Sequence, residues 1–380
     1  VKISKRGAID PFLAMDVMRQ ANRREADGQS IVHMEVGQPS DPAPSGVIEA
    51  AKQALDTHAI GYTEASGLWE LRDRIAKFYR DAHDKTIDSG QVMVTTGSSG
   101  GFILAFAAAF DPGDRVALAC PGYPAYRNIL RALDVEVVPI EVGPATHWQI
   151  PVETLASLSK PIDGLIVANP ANPTGSMMTA RQLREVAVWC EANDVRLISD
   201  EIYHGICYGA PAATAVGMAD HAVVINSFSK YYGMTGWRIG WMVVPKDLAR
   251  SVECLQQNLF ISAPTLSQLA AIHAFECARD LDARVARYGK NREILLNELP
   301  LLGFDRLAPS DGAFYLYADV SHLTGDTPEF CKKMLNETGV AVTPGIDFDP
   351  IHGNKSIRFS FAGSTEQIIS AIGRLKAWKR

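Results

Sequence analysis

Apolar and polar positions recur with two different periods along the chain. In its first quarter the period is helical: Leu68, Leu71, Ile75 and Phe78 fall three or four residues apart and share one face. Helices are expected over Met15 to Ala26, Val47 to Leu55 and Leu68 to Tyr79. Between the first two, Gly37, Gln38, Pro39, Ser40, Asp41, Pro42, Ala43 and Pro44 form a turn-rich connector suited to a crossing between domains. From residue 91 to residue 230 short apolar runs alternate with helix-forming segments. That order predicts a parallel sheet joined by crossover helices.

Each apolar run then gives out into polar or glycine-rich residues. The run from Val92 ends in Gly97, Ser98 and Ser99, the run from Val116 in Tyr123 and Tyr126, and the run from Leu165 in Asn172 and Gly175. The run from Val195 ends in Asp200, Glu201 and Tyr203, and the run from Val223 in Ser227, Ser229 and Lys230. Parallel strands share one C-terminal edge, where ligands of open α/β folds bind. The five endings would bring anion donors, an aromatic ring, an amide, a carboxylate and an amine to that edge.

The remaining pattern predicts a smaller domain. Thr179 and Gln182 have capping-box spacing before a helix that runs to Ala192. A strand is expected from Trp237 to Pro245, a helix from Asp247 and a long connecting helix from Leu281 to Leu296. A strand over Ala313 to Ala318, a helix over Pro328 to Thr338 and a strand over Ser356 to Phe361 follow. In that last strand Ile357, Phe359 and Phe361 alternate, so Arg358 and Ser360 face away from their core.

A length of 380 residues fits two domains, and 47% hydrophobic with 21% charged residues is ordinary globular composition. A formal charge of -6 argues against nucleic-acid partners. The longest apolar run, Phe102 to Phe110, is far short of a membrane span. The basic opening from Val1 to Arg6 lacks the apolar core of a secretory signal. Six scattered cysteines show no CxxC or zinc spacing, so a cytoplasmic protein without a metal is expected.

Lys230 follows an apolar strand, is flanked by hydroxyls and has Arg238 eight residues on. An amine nucleophile beside an anion cradle is what an enzyme holding an aldehyde cofactor with a phosphate tail needs. Lys230 would condense with the aldehyde while Ser227 and Arg238 take the phosphate.

Taken in order, Gly37 to Pro39, Gly61 and Tyr62 with Gly67, Gly97 to Ser99, Pro121 to Pro124, Asn172 to Gly175, Asp200 to Tyr203, Ser227 to Lys230 with Arg238, and Arg358 resemble the class I/II aminotransferases. These are pyridoxal-phosphate enzymes of the aspartate-aminotransferase fold. The resemblance spans nearly the whole chain. It implies an α/β fold whose large domain, residues 45–285, carries a mainly parallel sheet sandwiched by helices. A smaller α+β domain would be built from both termini, residues 1–44 and 286–380.

The resemblance also implies the site. Lys230 would form the Schiff base with pyridoxal 5'-phosphate and shuttle the substrate Cα proton. Asp200 would pair with the ring nitrogen, Tyr203 and Asn172 with the ring hydroxylate, and Tyr123 would stack on the ring. Gly97, Ser98, Ser99, Ser227 and Arg238 would form the phosphate cup. Arg358, with Gly37 and Asn172, would take the substrate carboxylate. Tyr62 would reach the phosphate of the neighbouring subunit, making the active sites of a homodimer shared.

The implied reaction is ping-pong transfer of an amino group between an L-amino acid and a 2-oxo acid. The same residues serve carbon–sulfur β-lyases and other lyases, which are the alternative. A non-enzymatic regulator on this fold is disfavoured by the acidic charge and by the early position of Gly37, which leaves no room for a DNA-binding module. For the donor side chain, Lys5, Arg6, Arg72, Arg127 and Arg131 are the available cations, and spacing singles out none. The largely apolar segment from Ile9 to Leu13 is expected at the pocket entrance, which favours a neutral or aromatic donor.

Overall fold

The computed structural model describes residues 1–379. The chain opens with α1 (Leu13–Ala26), β1 (Val32–His33), α2 (Ser45–Thr57) and α3 (Trp69–His83). Then come β2 (Val92–Thr95), α4 (Gly97–Ala109), β3 (Arg115–Cys120), α5 (Pro124–Ala132), β4 (Glu136–Glu141), α6 (Val152–Ala156) and β5 (Gly164–Ala168). These are followed by α7 (Ala180–Ala192), β6 (Arg196–Asp200), β7 (Val223–Ser227), β8 (Gly240–Val243), α8 (Lys246–Leu259), α9 (Thr265–Ile272) and α10 (Ala278–Glu298). The chain continues through β9 (Arg306–Leu307), β10 (Tyr315–Asp319), α11 (Thr327–Thr338), β11 (Val340–Ala341), β12 (Thr343–Pro344), β13 (Ser356–Ser360) and α12 (Thr365–Ala377).

The fold is α/β. Seven strands form one sheet in the order β2-β8-β7-β6-β5-β3-β4, in which only β8 runs against the rest. Its strands are apolar on both sides. Val94, Leu165, Val167, Leu197 and Val224 pack into one core, and Met93, Leu118, Ile166, Ile198 and Ile225 into the other. Burial of both faces explains the continuous apolar runs in the sequence. Helix α4 lies close against the sheet, because a Cβ on Gly101 would sit 3.3 Å from Ile225 and Met242.

A second, antiparallel sheet has the order β12-β13-β10-β9, and β1 pairs with β11 in parallel. Residues 32–33 are thereby joined to the last third of the chain. Helix α10 runs across the expected boundary at 285/286: Leu281 packs with the large-sheet core, whereas Tyr288 and Leu295 pack with the other. Local signals set several helix ends. The Thr179 and Ser364 hydroxyls complete capping boxes on α7 and α12, and Gly339 at φ +70° closes α11.

Two expectations need correction. The strand expected from Trp237 is confined to Gly240–Val243, because Thr235–Trp237 form a 3-10 turn and Arg238 adopts φ +51°. That turn carries the Arg238 guanidinium back against Gly97. The face of β13 turned from its core is also not open: all five of its residues are buried, and Arg358 is only 1% exposed. The rings of Tyr315 and Phe348 cover it, with centroids 4.3 and 4.5 Å from the guanidinium carbon.

Candidate active site

Because β2, β3, β5, β6 and β7 are mutually parallel, their C-terminal ends lie on one edge of the sheet. A cavity of about 520 Å³ opens there. Gly37, Ser98, Ser99, Tyr123, Asn172, Asp200, Tyr203, Lys230, Arg238 and Arg358 all line it. Three expected residues do not. Tyr62 is 83% exposed and away from the cavity. Gly97 is buried at the start of α4 beneath Arg238, and Ser227 is buried behind Ser229, which lines the cavity in its place. The Ser227 hydroxyl accepts the Ser229 N–H at 3.0 Å and thus holds that loop.

Lys230 is half-buried, and its Nζ donates a 2.7 Å hydrogen bond to the Gly37 carbonyl. Burial lowers its pKa to about 8, the nearby Arg358 and Arg238 cations add to this, and Asp200 opposes it. Asp200 ends β6 fully within the protein. Burial raises its pKa to about 6, against hydrogen bonds from the Tyr126 hydroxyl and, at 3.1 Å, the Ile202 N–H. At neutral pH the carboxylate is therefore mostly ionised and the amine mostly protonated, with about a tenth of each in the neutral form.

Arg358 is fixed on three sides. Its Nη1 donates to Asn172 Oδ1 at 2.9 Å, its Nη2 donates to the Glu35 carbonyl, and its plane lies between two rings. Its Nε has no partner within the protein. The Tyr203 hydroxyl pairs with that of Tyr315 at 2.7 Å, and burial raises both phenols. Tyr123 packs edge-on against Phe12 and Tyr126. At the start of α4, Thr96 offers no side-chain cap and the first turn holds no acid, and the Arg238 guanidinium lies against Gly97 there.

Tyr126, which with Tyr123 ends the run from Val116, also lines the cavity, as does Tyr315, to which the sequence assigns no role. Tyr126 lies in the first turn of α5, three residues after Tyr123 at its N-cap, and the two rings meet edge-on. Tyr315 reaches the site through its pairing with Ser360, which local pattern does not reveal. Of the segment from Ile9 to Leu13, Phe12 lines the cavity and Ile9 is exposed.

None of the five candidate cations lines the cavity. Arg6 pairs with Asp134, Arg131 with Asp10, Arg72 Nε donates to the Val92 carbonyl, and Arg127 Nη2 to that of Asp347. Lys5 is exposed. Among the described residues no cluster of side chains suits a metal ion, and no helix is long and apolar enough to cross a membrane.

Comparison with known proteins places these features among relatives. The family described as "Aminotransferase class I and II" matches residues 29–375. A Mycobacterium tuberculosis protein named valine–pyruvate aminotransferase is 50% identical, over 99% of this chain and 98% of its own. A Methanocaldococcus jannaschii (5-formylfuran-3-yl)methyl phosphate transaminase is 33% identical, over 97% and 96%. Among solved structures, an aminotransferase from Mycobacterium tuberculosis matches with a TM-score of 0.98 at 50% identity, covering 100% of this chain and 99% of that one. The aspartate aminotransferase of Thermus thermophilus with maleate matches with a TM-score of 0.93 at 28% identity, over 99% of each chain.

Proposed function

The chain belongs to the class I and II aminotransferases, enzymes of amino-group transfer, and from that premise we propose that it moves the amino group of a neutral L-amino acid to a 2-oxo acid with the help of pyridoxal phosphate. The observation that carries this reading is the gathering of Lys230, Asp200, Arg238 and Arg358 around one cavity. Valine and pyruvate are the first donor and acceptor to try, since the 50% identical relative is named for them.

The donor set fits the cofactor. Lys230 would hold its aldehyde carbon, Asp200 its ring nitrogen, and the uncapped start of α4 with Arg238 its phosphate. When bound, it supplies an electrophilic carbon for the substrate nitrogen and a ring that accepts the electrons left by the Cα proton. Tyr123 would lie against the ring, and Tyr203 and Asn172 would hydrogen-bond its hydroxylate.

The chain's own groups then divide the work. Lys230 Nζ, with its pKa brought to about 8, takes and returns the proton at substrate Cα. Asp200 stays ionised against a cationic partner. Tyr126 keeps its carboxylate oriented. Arg358 presents a fork of donors to the substrate carboxylate, and its ring stack and Asn172 hold that fork in place. Phe12, Met15 and Ile202 offer apolar surface beside the site, and the only Lys or Arg side chains among its described lining residues are Lys230, Arg238 and Arg358. An acidic donor side chain would find no further cation among the described lining residues.

We further propose a body of residues 45–285 with a small domain from 1–44 and 286–380, which the β1–β11 pairing supports. Closure of that domain would bring Gly37 and Arg358 onto substrate. Tyr62, exposed here, would reach the cofactor phosphate of a second copy in a homodimer.

Borohydride reduction of the protein saturated with pyridoxal phosphate, followed by peptide mapping, tests the assignment. A single pyridoxyl mass addition on the peptide containing Lys230 is expected. Label on another lysine, or none, would overturn it.

A further inference from the structure

The segment from His33 to Gly37 meets two of the site's cations with main-chain oxygen. The Glu35 carbonyl accepts Arg358 Nη2 and, at 2.7 Å, the Thr343 hydroxyl. Two residues on, the Gly37 carbonyl accepts Lys230 Nζ. The segment is anchored at its start by main-chain bonds: the Met34 N–H donates to the Ala341 carbonyl at 2.9 Å, and the Met34 carbonyl accepts the Ser360 N–H at 2.7 Å. Val36 and Gly37 then line the cavity. Between anchor and cavity stands Glu35, and its side chain is held by a side chain.

Glu35 is 0% exposed, and its Oε1 takes a 2.7 Å hydrogen bond from His33 Nδ1. Oε2 is buried with no partner among the described residues. His33 therefore supplies the support that this buried carboxylate has. The same ring meets the Glu25 carboxylate of α1 through Nε2 at 3.3 Å. The hydrogen bond to Glu35 raises the His33 pKa to about 9, Glu25 adds to this and burial opposes it, so at neutral pH the ring is a cation that donates from both nitrogens.

A buried ion pair stabilises a fold little better than apolar residues of the same volume, so its use here lies in position. Asn172 and the rings of Tyr315 and Phe348 hold Nη1 and the plane of the Arg358 guanidinium. The second arm of the fork, Nη2, is held by the carbonyl of the residue that His33 clamps.

We propose that His33 and Glu35 are positioning residues for amino transfer: their ion pair fixes residue 35 so that its carbonyl keeps the Arg358 fork aimed at the substrate carboxylate. This rests on the reading of Arg358 as the group that takes that carboxylate.

His33→Leu, Glu35→Leu, the double variant and Arg358→Lys are compared with wild type in kcat and KM for L-valine and pyruvate and in melting temperature. His33→Leu strands a buried carboxylate and should lower the melting temperature, whereas the double variant removes that charge and should recover it. KM for both substrates should nevertheless rise about tenfold in each single variant and by the same factor in the double, with kcat nearly unchanged. His33→Asn, whose amide can stand where Nδ1 stood, should bring KM back towards wild type. A double variant that regains wild-type KM along with its stability would make the pair purely structural and overturn the proposal. KM effects that multiply in the double variant would overturn it too. Wild-type KM in the His33 and Glu35 variants beside a raised KM in Arg358→Lys would overturn this proposal alone. Wild-type KM in Arg358→Lys would bring down the reading of Arg358 and this proposal with it.

Discussion

The Lys230 ammonium and the Gly37 carbonyl are joined by a 2.7 Å hydrogen bond, which links the loop after β7 to the segment between β1 and α2. Gly37 can approach this closely because it has no side chain. A Cβ there would overlap the Tyr315 hydroxyl.

Gly37→Ala should therefore push Tyr315 and its partner Tyr203 out of place. Overpacking of this kind costs about 1–3 kcal/mol, so a lowered melting temperature is expected with a raised KM for the amino donor. Wild-type KM and stability together would show that the contact at Gly37 has slack.

Lys230→Met probes the buried amine through pH. The native pKa of Lys230, about 8, lies below its ordinary value of 10.5. The neutral amine is thus the form the fold favours. Its contribution to stability is fully present above the unfolded pKa and is lost as pH falls through the native one. In cofactor-free protein, wild type should gain on Lys230→Met as pH rises from about 8 to about 10.5. Parallel melting curves across that interval would mean that the amine is not held as described. The variant should also lose amino transfer by at least about 10³-fold.

Arg358→Lys keeps a charge but loses the fork, the hydrogen bond to Asn172 and the stack on Tyr315 and Phe348. KM for the donor should rise by about 10–100-fold, the worth of one charge-assisted pair, with a smaller change in kcat. An unaltered KM would remove Arg358 from substrate binding.

Tyr62→Phe addresses the shared site. In a dimer, loss of one hydroxyl from the phosphate cup should weaken pyridoxal-phosphate binding by about tenfold. Sedimentation should give a dimer for wild type and variant alike. An active wild-type monomer would contradict the shared site, as would identical cofactor affinity in the two proteins.

The five strand endings could be read from the sequence because each apolar run is short and buried on both faces, so its polar terminus stands out. The position of Arg238 could not be read in the same way. Its left-handed backbone lies within a stretch whose composition resembles a strand. The full burial of Arg358 depends on Tyr315, Phe348 and the carbonyl of Glu35, which approach from distant parts of the chain. Alternation in one strand identifies two faces without saying what covers the second. Tyr126 was accessible in principle, one helical turn beyond Tyr123. Tyr62 is exposed in the single chain, and the role proposed for it requires a second copy.

Single-turnover spectroscopy of the cofactor-saturated enzyme, mixed with one amino acid and no 2-oxo acid, bears most directly on amino transfer from a neutral donor. With L-valine the visible cofactor band should bleach as one equivalent of the 2-oxo acid forms, and pyruvate should restore it. L-aspartate should react at least about tenfold more slowly, because among the described lining residues no further cation meets its side-chain carboxylate. A faster reaction with L-aspartate would contradict the apolar-donor reading. Continuous release of ammonia or carbon dioxide from valine without a restorable band would contradict amino transfer itself.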